Sequence, residues 1–268
     1  MTTCPRTVSR PAGALILVAA LAAPAVAAPL TPRSAQERLE KLDEAAKAGR
    51  WSSVEAESTD LLRDLVESLS ARGSADEPNR RALALALTLR ALAESARGDE
   101  RLAVWDWWLA QDLWPELRRF TLASYGPPAE LLRRSLVPQE TPQRSEPCDP
   151  AVETCHSEEL DESVLRPPRR LSTPPPAYPR GARSERVEGT VVLQGVITTE
   201  GVIERPRVLE SPAPSFTVAA AEVLRTWTFE PAWFAGQPVD AYYNLTVNFE
   251  LVEKVGPQRP PWRRPGGS

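Results

Sequence analysis

The chain holds a single histidine, His156, in 268 residues. Nothing in the sequence sets a nucleophile against it, so a hydrolytic triad has no base to rest on. Cysteine is nearly as scarce, with only Cys4, Cys148 and Cys155. Two cysteines and one histidine leave a zinc site without its fourth ligand. Cys155-His156 resembles the end of a haem-attachment motif, but six residues part the cysteines where that motif has two. No glycine-rich phosphate loop occurs. An excess of one charge is also missing: 32 Lys and Arg stand against 36 Asp and Glu, a net −4. No basic surface therefore invites nucleic acid or an anionic membrane. The expectation is a protein with no enzymatic activity, no cofactor, no metal and no nucleic-acid partner.

Long apolar runs are absent too. The one candidate, "AGALILVAALAA" at residues 12–23, falls short of the roughly 20 residues that a membrane span needs. Arg6 and Arg10 precede it, and "PAVAAPL" follows with small residues at Ala25-Val26-Ala27 or Val26-Ala27-Ala28. This grammar predicts a cleaved signal peptide over residues 1–28. The rival is a retained inner-membrane anchor, against which the short run and Pro24 both argue. No Leu-x-x-Cys ends the run, so no lipid anchor is expected. Cleavage would remove Cys4 and leave Cys148 and Cys155, seven positions apart. In an oxidising compartment they are expected to form one disulfide, worth roughly 2–3 kcal/mol by loop entropy. Two free thiols are the alternative.

Proline is plentiful at 28 residues and unevenly placed. It is sparse where helix periodicity is clearest. Leu39, Leu42, Ala45 and Ala46 form one stripe, and Val54, Leu61, Leu62, Leu65 and Leu69 form another. A third helix, rich in Ala and Leu, ends at Gly98, and a fourth carries Ala103, Trp107 and Ala110 along one face before Pro115. Trp107 and its neighbour Trp108 read as core. Gly98, Ala103, Trp107, Ala110 and Pro115 match the second half of a tetratricopeptide repeat, and Gly49, Trp51 and Val54 echo its turn. The two turns lie 49 residues apart, not 34, so an ordinary antiparallel bundle stays open beside the repeat. Residues 31–136 are expected to be an all-α, tetratricopeptide-like domain of helical hairpins.

Periodicity then stops. Residues 137–173 are acidic and proline-rich and read as a disordered linker suited to reach, roughly 30 Å as a flexible coil. Residues 253–268 read as a disordered tail. Between them, "GTVVLQGVIT" and "VIERPRVLES" make a hairpin through Gly201, with Pro206 marking an edge or bulge. "SFTVAAAEVLRTW" makes an amphipathic helix, with Ser215 as N-cap and Phe216, Ala220, Val223, Leu224 and Trp227 inward. "AYYNLTVNFEL" alternates as a last strand. The expected class is α+β: an antiparallel three-stranded sheet packed on a helix, following the helical domain. Trp227, Phe229 and Gly236 are expected in its structural core.

The residues Tyr178-Pro179, Ala182, Glu188-Gly189-Thr190-Val191-Val192-Leu193, Gly201, Val208 and Ser211 resemble the C-terminal domain of the TonB family. So do Ala219-Ala220-Ala221, Trp227-x-Phe229-x-Pro231-Ala232, Gly236-x-Pro238-Val239 and Val247-x-Phe249. The resemblance covers residues 174–252. It implies a periplasmic module that links inner-membrane energy to transport through outer-membrane receptors, and that takes up a receptor's extended segment by strand addition. The corresponding edge is the last strand: Tyr243, Asn244, Leu245, Thr246, Val247, Asn248 and Phe249. The histidine-bearing anchor helix of family energy transducers has no counterpart here. An envelope scaffold without energy transduction, one that self-associates or binds peptidoglycan, is therefore the alternative. Further expected partners are an unknown protein on the helical domain and a second copy in a homodimer.

Overall fold

In the computed structural model, which describes residues 31–69, 76–136, 155–156 and 165–251, the first half of the chain is helical. Its helices are α1 (Pro32–Lys47), α2 (Trp51–Ser68), α3 (Glu77–Arg97), α4 (Glu100–Leu113) and the short α5 (Pro128–Arg134). The expected signal peptide, the Cys148–Cys155 bridge and the C-terminal tail lie outside the described residues.

Local chemistry sets the ends of these helices. Thr31 and Ser34 form a reciprocal capping box at the start of α1, with Pro32 at its first position. Gly49 closes it at φ +72°, which lets the Arg50 N–H reach the Ala45 carbonyl at 3.0 Å. Gly98 closes α3 in the same way at φ +87°, with Asp99 N–H on Glu94 O. Left-handed residues of this kind end helices because only glycine adopts them without cost. The two reversals produce antiparallel hairpins, α1 with α2 and α3 with α4. The predicted stripes are buried, Leu39, Leu42, Val54, Leu61, Leu62 and Leu65 among them. Helix α3 contacts α1, α2 and α5 besides α4, and accordingly it is buried on nearly every side from Leu83 to Glu94. Trp107 is core, while half-buried Trp108 donates its indole N–H to Ser135 O at 2.7 Å.

The later elements are β1 (Cys155–His156), β2 (Leu165–Arg166), β3 (Arg169–Ser172), α6 (Arg180–Ser184), β4 (Gly189–Ile197), β5 (Ile203–Glu210), α7 (Pro214–Leu224), β6 (Thr228–Glu230), β7 (Ala232–Phe234), β8 (Gln237–Val239) and β9 (Ala241–Phe249). The expected antiparallel sheet is present, in the order β9-β4-β5. Strands β4 and β9 pair without interruption from Gly189↔Phe249 to Ile197↔Ala241. Between β4 and β5 the register shifts twice, once at Leu209 and once at Arg205 (φ +50°) and Pro206, the second as that proline leads one to expect. One face carries Val191, Leu193, Leu245, Val247 and Phe249, all buried in the same core as Phe216, Ala220 and Leu224 of α7. The other face is polar, where Thr190 Oγ1 donates to Asn248 Oδ1 at 3.1 Å.

Four expectations need correction. Ser215 is not the N-cap of α7: Ala213 holds that position and Pro214 opens the helix, so Ser215 is buried inside its first turn. Gly236 is not core: at φ +82°, beside Ala235 at +48°, it is exposed in the turn of the β7–β8 hairpin. Two successive positive φ values are what a tight hairpin turn requires. Trp227 and Phe229 are buried as expected. The stretch 165–172, assigned to a disordered linker, instead contributes β2 to β7 and β3 to β6. Arg169 and Arg166 both meet the Glu230 carboxylate, at 2.8 and 3.5 Å, and the Trp227 indole N–H donates to Pro174 O at 3.0 Å.

The fourth correction concerns reach. The helical region is docked on the sheet domain: α4 lies along β5, and α2 packs on α6 and α7. One continuous apolar core runs through both halves. Helix α7 is thus sandwiched, which explains why Val218, Ala219 and Ala221 on its outer side are buried as well. The two halves are therefore packed together and not held apart.

A buried ion cluster sits at this junction. Arg90 (α3) holds Asp106 (α4) through both carboxylate oxygens, at 2.5 and 2.9 Å, and reaches Glu222 of α7 at 2.5 Å. Arg225, just past α7, returns to Glu94 at 2.5 Å and to Asp106 at 3.3 Å. Burial works against the charged form of Arg90, but Asp106 and Glu222 outweigh it and hold its pKa above the ordinary guanidinium range. For Glu94, burial and then Asp106 push the pKa up to about 8, against the pull of Arg225 and Arg90. With a proton on Glu94, two guanidiniums face two carboxylates, Asp106 and Glu222.

This predicts a pH dependence. The folded state keeps a proton on Glu94 that an unfolded chain, with the ordinary value of 4.5, has released. Stability from this group is therefore full below pH 4.5 and is lost as pH rises through 8. One proton gives a slope of at most about 1.4 kcal/mol per pH unit. Urea denaturation between pH 5.5 and 8.5 should show the decline, and Glu94→Gln should flatten it. An unchanged slope in that variant would assign the effect elsewhere.

Candidate functional site

A three-stranded sheet has two edges, each a row of backbone donors and acceptors open to another strand. The edge at β5 is closed from within. Asp112 at the end of α4 accepts the outward N–H of Val208 at 2.8 Å and the Arg207 Nε at 3.3 Å. Burial raises the pKa of Asp112, although Val208 and Arg207 counter it by stabilising the anion.

The edge at β9 differs. Its outer side is paired only at its start, where β1 runs parallel to it, with Cys155 opposite Ala241 and His156 opposite Tyr242. Along residues 243–249 no described strand pairs with that side. These are the residues that the sequence assigned to partner binding. Their side chains alternate as expected: Leu245, Val247 and Phe249 are buried, while Asn244, Thr246 and Asn248 are exposed.

The apolar side of this edge is built from aromatic rings. Tyr178, Phe216 and Phe249 form a triangle with centroid separations of 4.6 to 5.9 Å, and Tyr243 stands edge-on to Phe229 at 6.2 Å. Tyr178 is fixed by donating its hydroxyl to Val187 O at 2.5 Å, with Arg183 over its ring at 5.2 Å. Glu188 accepts the Leu251 N–H at 2.6 Å and pins the far end of the strand. An extended peptide laid along residues 243–249 would find main-chain partners and, for every second side chain, an apolar neighbour.

Residues 174–251 match the family model of the Gram-negative bacterial TonB protein C-terminal. The sheet domain is of the TonB C-terminal family. The match begins after β3 and leaves both the helical residues 31–136 and the strands β1 to β3 outside it. Among solved structures, the solution NMR structure of the Pseudomonas aeruginosa TonB C-terminal domain is 29% identical. That match covers 35% of this chain and 94% of the Pseudomonas domain, with a TM-score of 0.27. No curated protein matches the chain.

Sequence reasoning placed the strand but did not single out Asp112, which closes the opposite edge, or the buried cluster of Arg90, Glu94, Asp106 and Arg225. One signal was available. Arg90 lies inside "ALTLRALA" and Asp106 inside "VWDWW", where a lone charge amid apolar residues points to a buried pair.

Proposed function

We propose that this protein acts in the periplasm as a TonB-type binding module. The edge of β9 takes up an extended segment of an outer-membrane receptor by strand addition, in support of energy-dependent transport across the outer membrane. The observation that carries this reading is the asymmetry of the sheet: Asp112 closes the β5 edge, and no described strand pairs with the outer side of residues 243–249 of β9. Family membership supplies the class of partner. The role is binding, not catalysis. The tetratricopeptide-like helical hairpins would recruit a second protein, and a disulfide between Cys148 and Cys155 would suit the oxidising compartment.

Titration of the full chain with peptides from receptor N-terminal segments, followed by amide shifts, tests the proposal. Shifts should concentrate on residues 243–249 and spare β5. Shifts on the helical hairpins alone, or none at all, refute the assignment. A self-associating scaffold would instead broaden the β9 resonances as protein concentration rises, with no peptide present.

A further inference from the structure

We infer that the chain guards its own docking edge: β1 occupies the start of the β9 edge and competes with any segment that pairs along the whole strand. This rests on the reading of β9 as the docking edge. The competitor is already seated in the structure. Cys155 and His156 pair with Ala241 and Tyr242 in parallel, on the side of β9 that faces away from β4.

The segment that holds β1 in place is anchored close by. Nine positions after His156, Leu165 and Arg166 pair with Phe234 and Trp233. Strand β3 follows onto β6, and Arg170 lies over the Trp227 ring at 5.4 Å. Both anchors belong to the sheet domain itself. Eight residues of chain separate β1 from that anchor, so β1 meets the edge at an effective concentration on the order of millimolar. The pairing it makes is small, two residues of parallel ladder, against the seven positions open at 243–249. Such a strand is easily displaced by a long partner and resists a short or poorly matched one. It therefore raises the length and quality of pairing that a partner must achieve. Because β1 lies outside the TonB-type domain, the guard belongs to the preceding segment of this chain.

The test uses the full chain and two variants, His156→Pro and a deletion of residues 154–157. Proline cannot donate to a ladder. Circular dichroism confirms folding of both variants. Edge-facing amides among residues 241–243 should exchange at least about tenfold faster in both variants than in the wild type, on the scale of an opened local contact. A synthetic peptide of residues 151–160, with Cys155→Ser, is the trans probe. It should shift β9 amides in the variants at concentrations about tenfold below those the wild type needs. Equal exchange in all three proteins overturns the inference. So does faster exchange without improved uptake of the probe. Receptor-derived peptides form a separate arm: if they bind neither wild type nor variant, the docking reading falls, while the amide comparison still decides whether β1 sits on the edge.

Discussion

Asp106→Ala should destabilise the protein by about 3–5 kcal/mol, the usual result of removing one partner from a buried ion pair. Asp106 is fully buried and receives Arg90 through both oxygens and Arg225 through one. Without it, two guanidiniums stay in the interior with only Glu94 and the partly exposed Glu222 to face them. That loss is a large share of the 5–15 kcal/mol typical of a folded domain. The cluster also joins α3 and α4 to α7, so the docking of the two halves should weaken with it. Urea denaturation followed by tryptophan fluorescence gives the measurement. Replacing the pair together, as Arg90→Met with Asp106→Leu, should recover most of the loss, because no unpaired charge is then left inside. A single variant that loses less than about 1 kcal/mol would show that water reaches the cluster.

Gly201→Ala should be comparably severe, and for a steric reason. Gly201 turns the β4–β5 hairpin at φ +77°, and a Cβ there would lie 2.0 Å from the Phe229 carbonyl oxygen. The left-handed conformation costs a non-glycine residue roughly 1–2 kcal/mol. Overpacking adds about 1–3 kcal/mol, with backbone as the obstacle and no side chain free to swing aside. The approach is itself a contact: the Phe229 N–H donates to Gly201 O at 2.8 Å and ties the hairpin to the start of β6. A loss of about 2–5 kcal/mol in thermal or urea unfolding is expected. Gly236→Ala, also at positive φ but with open space around it, should cost only the conformational part. Equal losses at the two glycines would mean that the contact with Phe229 contributes nothing.

The turn at Gly201 could be read from "TTEG" alone, and so could the strands on either side of it, because side-chain alternation and glycine conformation are local properties. Trp227 and Phe229 were legible as core for a similar reason: they flank the end of an apolar helix and the start of a return strand. Gly236 was misplaced because a glycine two residues before a proline fits a core crossing and an exposed turn equally well. Ser215 was misread because serine is a good cap wherever it stands, and only the backbone shows that Pro214 already lies inside the helix. The β9 edge was half legible. Its alternating residues gave the strand and its faces, but whether an edge is free depends on what else reaches it. Asp112 closes β5 from 96 positions away in sequence, and β1 reaches β9 from 86 positions away.

By itself the sequence determined the helices, their glycine-closed reversals, the antiparallel sheet and the family of the domain that contains it. The helices, reversals and strands follow from periodicity, propensity and turn chemistry within some twenty residues, and the family from the resemblance of its motifs. The tertiary structure decided that the two halves share one core, that five ionisable side chains meet at their junction, and that one sheet edge is sealed while the other is paired only at its start. Those outcomes depend on burial, and burial is set by distant elements: a charge flanked by apolar residues becomes an interior ion pair only once another helix covers it.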